Sequence, residues 1–443
     1  MAALDQIRGT RPEIARAIDA GEIDVVEILW PDHQGHPRGK RIEAEGFLAR
    51  AAGQGFAFCD AALTWDVAGD VKDGLRLSSW DTGYPDMFAV PDLATYRPLP
   101  WRPRTGQVVC DLVDHRGEFV RTAPRTVLRR VLDRLQALGY EARVGIEIEA
   151  HLLDAHGTPL SDGLHAYSLQ KLGELDPVID EIVGGLRGFV DLEGANTEYG
   201  PGQVEINLRH APALAAADQA TRLKYAVREL ARRGGAIATF MAKPFADQAG
   251  NSMHVHLSLW RDGEPVFASE DGAENDLHRR AIGGLLAHLP GITLYGAPTV
   301  NSYKRFEELS FAPTTVNWSG DNRTVAVRSL VEAPGATRVE LRAGAADAQP
   351  HWAVAGALAA VVAGLEGDGG DTGPRREGNL YGDGPALPAT LAAGVSAARE
   401  DLVVTDILGA DAVHDYAALA QLEWEAFVGA VSDWDRERYL RAV

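Results

Sequence analysis

Cysteine is nearly missing: Cys59 and Cys110 are the only two in 443 residues. That rules out a disulfide framework, and an isolated pair in a chain long enough to bury a large core points to a reducing compartment. Long apolar runs are missing as well. The longest, Trp352 to Leu365, is rich in alanine and glycine and shorter than the roughly 20 residues that span a bilayer, so a buried helix is expected there. The opening MAALDQIRGTRPEIARAIDAGEI is charged throughout and has no apolar leader core, which places the protein in the cytoplasm and off the membrane. Cationic excess is also absent. With 43 Lys and Arg against 63 Asp and Glu, the net charge is −20. Nucleic acid and anionic lipid require clustered cations and are excluded as partners, although a few local arginines can still hold a small anion. No internal repeat is present.

What is there divides unevenly. DVVEILW, then PDHQGHP, then RGKRI read as strand, turn and strand. The proline-dense run DMFAVPDLATYRPLPWRPRTG is expected to be extended and to lead from a small β-rich domain into the main one. Thr122 and Pro124 open a helix whose stripe of Leu128, Val131, Leu132, Leu135 and Leu138 is stopped by Gly139. A second long helix is expected from about Ala211 to Arg233, a solvated loop over Glu366 to Gly378, and helices over the last ~60 residues.

Four segments carry chemistry on one side. In VGIEIEAHL, Glu147, Glu149 and His151 alternate with apolar residues; in GQVEINLR, so do Glu205 and Asn207. In SMHVHLSLW the alternating polar set is His254, His256 and Ser258, and in TRVELRA it is Arg338, Glu340 and Arg342. Period-two alternation puts each polar set on one strand face. An antiparallel sheet with one wet face would give the same alternation, but a merely wet face favours Lys, Thr and mixed charge. Like charges at i and i+2 repel by roughly 3 kcal/mol at about 5 Å and an effective dielectric near 20. A bound cation removes that cost. Carboxylates outnumber histidines and no cysteine is near, so Mg²⁺ or Mn²⁺ fits better than Zn²⁺. Arg305, Arg323, Arg328, Arg338 and Arg342 form a cluster suited to phosphate and carboxylate if these segments share a surface.

These motifs, together with WPDHQGHPRGKRI, TEYGPGQVEIN, ATFMAKPF, GNSMHVHLSL, NSYKRF, NWSGDNRTVAVR, NLY and VSDWDRERYL, run in the order found in glutamine synthetases. The chain resembles that family over nearly its whole length. The resemblance implies an α+β fold, with a β-grasp domain over residues 1–104 and a catalytic domain with a curved antiparallel sheet over 105–443. It implies two metal sites, Glu149, Glu198 and Glu205 in one, Glu147, His254 and Glu340 in the other, each holding Mg²⁺ or Mn²⁺. ATP is the implied co-substrate, with Arg323, Arg328 and Arg338 on its phosphates and His256 and Ser258 close to the nucleotide. Arg305 and Arg342 would hold the acid's carboxylate or the transferring phosphoryl group, with Gly250 offering backbone. A homo-oligomer of two hexameric rings is implied, each site completed by a neighbour's N-terminal domain.

Departures from the family bear on the amine. The Asp-Gly-Ser-Ser motif that helps bind ammonium is absent: the region reads GFAFCDAALTWDVAGD, with Asp60 and Asp66 but not the motif. The acid expected six residues after Arg305 is Phe311, while Glu307 and Glu308 lie out of register. Ala249 stands for an Asn that contacts the acid substrate, and Ser252 for a Gly or Ala; Lys243 and Pro244 are intact. An aromatic wall suits a substituted amine better than ammonium, so the pattern resembles γ-glutamyl-amine and γ-glutamylpolyamine ligases, joining glutamate or a close analogue to an organic amine. The rival readings are that Glu307 or Glu308 takes over in an ammonia-using enzyme, or that the chain is a non-catalytic assembly. Tyr381, in NLYGDG, matches a tyrosine adenylylated in some relatives, but a lone loop tyrosine implies no regulation.

Overall fold

The computed structural model describes residues 12–163, 166–268, 272–331 and 333–443. The segment 1–11, in which no leader core is read, lies outside them. Two sheets organise the rest. The first has five strands: β1 (Val25–Pro31), β2 (Pro37–Glu43), β3 (Phe56–Cys59), β4 (Asp86–Pro98) and β5 (Thr105–Val113), in the order β2-β1-β5-β4-β3. β1 and β5 run parallel and the other pairs antiparallel. Val26, Ile28, Trp30, Phe47, Met87 and Val108 fill its core.

The proline-dense run is extended, as expected, but over Asp86–Pro98 it is the strand β4, paired with β5 along most of its length, rather than a connector. Its prolines are tolerated because β3 pairs only with Asp86–Ala89. Pro91 and Pro98 therefore sit where one side of β4 has no neighbour to receive an N–H. β5 lies beyond residue 104, yet pairs with both β1 and β4 and so belongs to the first sheet.

The second sheet has nine strands: β6 (Glu141–Leu153), β7 (Leu192–Thr197), β8 (Gln203–Pro212), β9 (Ile237–Thr239), β10 (Met253–Arg261), β11 (Glu264–Pro265), β12 (Trp318–Ser319), β13 (Val327–Leu330) and β14 (Arg338–Leu341). Its path is β12-β13-β14-β10-β6-β8-β7, with β11 on β10 and β9 on β6. Ile146, Ile148, Val204, Ile206, Val255, Leu257 and Val339 point from one face into the main core, against the helices Pro124–Ala137, Ala213–Arg233 and Pro350–Glu366. The last of these is buried on every side up to Leu365, as a helix that is apolar all round must be. No helix among the described residues is long and apolar enough to cross a membrane. The C-terminal region is helical over Leu391–Glu400, Leu402–Leu408, Ala410–Gly429 and Asp433–Tyr439.

A buried charge network joins the two sheets. Arg125 is almost fully enclosed. Its guanidinium pairs with Asp111 on β5, with Asp92 on β4 at 2.8 Å, and with Asp218 on the helix Ala213–Arg233 at 2.9 Å. His351 Nε2 stands 2.9 Å from the same Asp218.

Candidate active site

The four strands singled out in the sequence are consecutive neighbours, β14-β10-β6-β8, and their polar sets share one face. Register brings the side chains together. Glu149 faces Glu205 across β6 and β8, Glu147 faces His254 across β6 and β10, and His256 faces Glu340 across β10 and β14. Glu198 joins from the turn after β7, which is closed by a hydrogen bond from its own N–H to Gln203 O at 3.0 Å.

Two groups of ligand atoms are close enough to hold an ion: Glu147, Glu205 and His254, and Glu147, His256 and Glu340, each with its atoms within 4.8 Å of one another. This grouping differs from the expected one. Glu149 turns Oε2 onto Ser252 N at 2.7 Å and Gln203 Nε2 at 3.2 Å. Glu147 is drawn to both histidines, 3.4 Å from His254 Nδ1 and 3.1 Å from His256 Nε2.

The electrostatics of the cluster are lopsided. Burial, and then the charge of Glu149, push the Glu198 carboxyl up to about 7. Burial and the charges of Glu147, Glu149 and Glu198 push Glu205 up as well. Glu147 and Glu340 go the other way. Burial opposes both shifts, but His254 and His256 hold Glu147 well below the carboxylate range, and Arg342 with the two histidines and Arg328 holds Glu340 near about 2. Carboxylates crowded with so little compensating charge at one end fit an oxygen-preferring divalent cation.

Beside the cluster lies a cavity of about 290 Å³, lined by His256, Ser258 and Arg338 together with Arg143, His210 and Trp260. Trp260 Nε1 donates to Ser258 Oγ at 2.9 Å, and the Arg143 guanidinium lies 4.0 Å from the Trp260 ring centroid. Arg338 Nε lies 3.2 Å from His256 Nδ1. Arg328 Nη1 donates to Glu340 at 2.7 Å, and Arg328 also pairs with Asp321. Arg323 stands on the exposed turn before β13.

The 3₁₀ turn Ser302–Arg305 delivers Arg305 from another direction. Arg305 is buried, and its Nη2 donates to Ala343 O at 3.0 Å and Gly344 O at 2.7 Å. Burial lowers its guanidinium to about 10, against the opposing charges of Glu149 and Asp347. Arg342 Nη1 donates to Glu340 and its Nη2 to Phe311 O at 3.3 Å. The buried Nε of Arg305 and of Arg342 each lack an acceptor among the described residues, as suits donors meant for an external anion. Gly250 packs so tightly that a Cβ there would lie 2.6 Å from Ala242 O and 2.7 Å from Arg305 Cγ.

Phe311 is 41% exposed, adopts φ +59°, and places its ring 5.3 Å from that of Tyr199, which is 43% exposed. Glu307 is engaged elsewhere, with Lys243 Nζ 2.8 Å from its Oε2. Asp60 accepts from Ser78 Oγ at 2.6 Å, and Asp66 pairs with Lys72 at 2.7 Å.

The family description "glutamine synthetase, catalytic domain" matches residues 121–439. The chain belongs to the glutamine synthetase family. It is similar to the glutamate–isopropylamine ligase of a Pseudomonas species, 35% identical with 96% of each chain covered. It is also similar to the γ-glutamylethanolamide synthetase of Streptomyces coelicolor, 38% identical over 96% of this chain and 94% of the relative. The ligand-free structure of GmaS superposes with a TM-score of 0.86 at 30% identity, covering 97% of this chain and 99% of the other. This member of the glutamine synthetase family is thus a ligase that forms carbon–nitrogen bonds. It has the family's mixed α+β fold, with a curled sheet and flanking helices, and belongs to a family that uses ATP and divalent metal ions.

Within this glutamine synthetase-family site, sequence reasoning missed Arg143, Trp260 and Tyr199. The first two were accessible to it. Arg143 continues the polar alternation of β6, and Trp260 that of β10. Tyr199 sits in a turn, where no periodicity signals it.

Proposed function

We propose that this ligase joins glutamate, or a close analogue, to a substituted organic amine, forming a γ-glutamyl amide through an acyl phosphate. The observation that carries the amine choice is the aromatic pair at the site. By its position in the sequence Phe311 stands where the resemblance puts the family's ammonium-binding acid, the Tyr199 ring packs against it at a tilt, and Glu307 is paired with Lys243. The relatives named for isopropylamine and ethanolamide formation support the same reading.

Glu147, Glu149, Glu198, Glu205, His254 and Glu340 would hold two Mg²⁺ or Mn²⁺ ions between them, Glu149, Glu198 and Glu205 serving one and Glu147, His254 and Glu340 the other once Glu149 turns from Ser252 and Gln203 toward the ion. The bound ions supply positive charge that neutralises phosphate oxygens and the substrate carboxylate. ATP lies in the cavity beside β10, its nucleotide against His256 and Ser258 and its phosphates toward Arg323, Arg328 and Arg338. Arg305 and Arg342 orient the acid through their unshared Nε donors, and the backbone at Gly250 contacts it. A carboxylate oxygen leaves poorly, so the acid first takes the γ-phosphoryl group and ADP departs. The amine nitrogen then attacks the acyl carbon and phosphate leaves. The arginines act by position and charge at both steps.

The first sheet, with its central parallel pair β1 and β5, supports assignment as a β-grasp domain. In a dodecamer of two hexameric rings it would face a neighbour's site. Scarce cysteine supports a cytoplasmic setting.

ATP-dependent coupling of glutamate with ammonia, ethanolamine, isopropylamine, diamines and aromatic amines, read by product mass, tests the proposal. A substituted amine is expected to exceed ammonia at equal free-base concentration. Faster glutamine formation than any amide formation would overturn it.

A further inference from the structure

We propose that Asp347 is a positioning residue for the acid: its carboxylate holds the turn that carries Arg305 and so sets the spacing between Arg305 and Arg342. This rests on the reading above in which those two arginines receive the acid.

The turn has little to stand on by itself. Ser302–Arg305 is a single 3₁₀ turn of four residues, a conformation whose hydrogen bonds have poor geometry. Its ties are side chains. Thr299 Oγ1 donates to Asp347 Oδ2 at 2.7 Å, and Ser302 Oγ stands 2.8 Å from Oδ2 and 3.0 Å from Oδ1. The two hydroxyl residues also lock each other, with Thr299 N donating to Ser302 Oγ at 3.0 Å and Ser302 N to Thr299 Oγ1 at 3.1 Å. A second tie enters at the turn's start. There Asn301 accepts from Lys243 N at 2.7 Å and donates to Lys243 O at 3.0 Å.

Residues three apart in a 3₁₀ helix lie on the same side. Ser302 and Arg305 are so spaced, and both reach one stretch of chain, Ser302 at Asp347 and Arg305 Nη2 at Ala343 O and Gly344 O. Arg342 opens that stretch. The segment from Arg342 to Asp347 thus supplies one of the two arginines and fixes the other at two points. The carbonyls hold the far end of Arg305, and Asp347 fixes where its backbone begins. Behind the segment, the enclosed Lys224 of the helix Ala213–Arg233 donates to Ala348 O at 2.8 Å, which anchors Asp347 itself. Lys224 and Arg305 also supply the positive charge that faces its carboxylate.

The Nε of each arginine has no acceptor among the described residues. One anion can use both donors only when their separation is fixed, and a displacement of about 1 Å can cost about a hundredfold in rate. Asp347 touches neither substrate nor reacting atoms. Its effect reaches the acid through Arg305 alone, whereas the nucleotide cavity lies along β10.

The test uses the full chain with ATP, Mg²⁺, glutamate and hydroxylamine, and reads hydroxamate while glutamate and ATP are varied in turn. Asp347→Ala should raise KM for glutamate about tenfold to a hundredfold and leave KM for ATP within about twofold. Asp347→Asn, which keeps one oxygen to receive a hydroxyl, should fall between that variant and the wild type. Ser302→Ala breaks the same tie from the other side and serves if Asp347→Ala fails to fold. It should shift KM in the same direction, and adding it to Asp347→Asn should raise KM by less than the product of the separate effects. Arg305→Ala reports on the arginine itself. If Arg305→Ala raises KM for glutamate while the folded Asp347 and Ser302 variants do not, the positioning role falls and the acid-site reading stands. Equal rises in both KM values for the Asp347 variants would remove the role as well. If Arg305→Ala leaves KM for glutamate unchanged, or the wild type couples glutamate to no nucleophile, both fall.

Discussion

Glu149 lies directly opposite Glu205 across the β6–β8 pairing, two buried carboxylates on one sheet face. Replacing Glu205 with Gln removes a charge that its neighbours oppose. In EDTA the Glu205→Gln protein should be at least as heat-stable as the wild type. Added Mg²⁺ or Mn²⁺ should raise the wild-type Tm and leave the variant's nearly unchanged, with ligation lost. Melting curves with and without metal, alongside amide formation, check all three. An equal metal-induced rise in both proteins would show that Glu205 holds no ion.

The pH dependence of the metal-free protein follows from Glu198. Its carboxyl is raised to about 7 in the fold, by burial first and the Glu149 charge second, from the ordinary glutamate value of 4.5. A raised carboxyl means that the folded state binds the extra proton. Stability is therefore full below about pH 4.5 and declines as pH rises toward 7, by on the order of 1–3 kcal/mol. Urea unfolding at pH 5, 6 and 7 in EDTA should show this decline in the wild type, and a shallower one in Glu198→Gln. Saturating divalent metal should flatten the wild-type profile.

Phe311→Glu addresses the amine. Loss of the apolar wall should lower kcat/KM for an alkylamine by about tenfold to a hundredfold, the worth of about 1–3 kcal/mol of apolar contact. Ammonia use should rise only modestly, since Asp60 and Asp66 are already committed to Ser78 and Lys72. Steady-state kinetics with the two nucleophiles decide it.

Gly250→Ala should strike the acid rather than the nucleotide. The added methyl would collide with Ala242 O and the Arg305 side chain, so Arg305 must shift. KM for glutamate is expected to rise about tenfold or more while KM for ATP changes little. Equal increases in both would place Gly250 outside the acid's site.

The sequence revealed the sheet's chemical face because period two is a strong signal when the alternating residues are Glu, His and Arg. β6, β8, β10 and β14 were legible for that reason, as were the buried helix Pro350–Glu366 and the helix that Gly139 terminates. The helix Asp276–Gly296 was not. It is buried over much of its circumference and contains Pro290, so it offers neither a clean stripe nor an uninterrupted run. β4 was misjudged because its prolines suggested a connector, while the fact that permits them, that β3 is short, is a tertiary one. Within the site, all six expected metal-binding residues lie together. Their division into ion-sized groups depends on where Glu149 and Glu147 turn their carboxylates, and residue spacing carries no information about that.

The Arg125 network has a consequence for how the molecule comes apart. Its cation belongs to one helix, while Asp92 and Asp111 are in the first sheet and Asp218 is on a helix packed against the second. Pulling the sheets apart would take Asp92 and Asp111 from the guanidinium, leaving it Asp218 alone, and would strand those two carboxylates on the first sheet, at a cost of about 3–5 kcal/mol. Neither half has a cheap way to unravel first. Calorimetry should therefore show one cooperative endotherm, and a protease should find no stable N-terminal fragment to release.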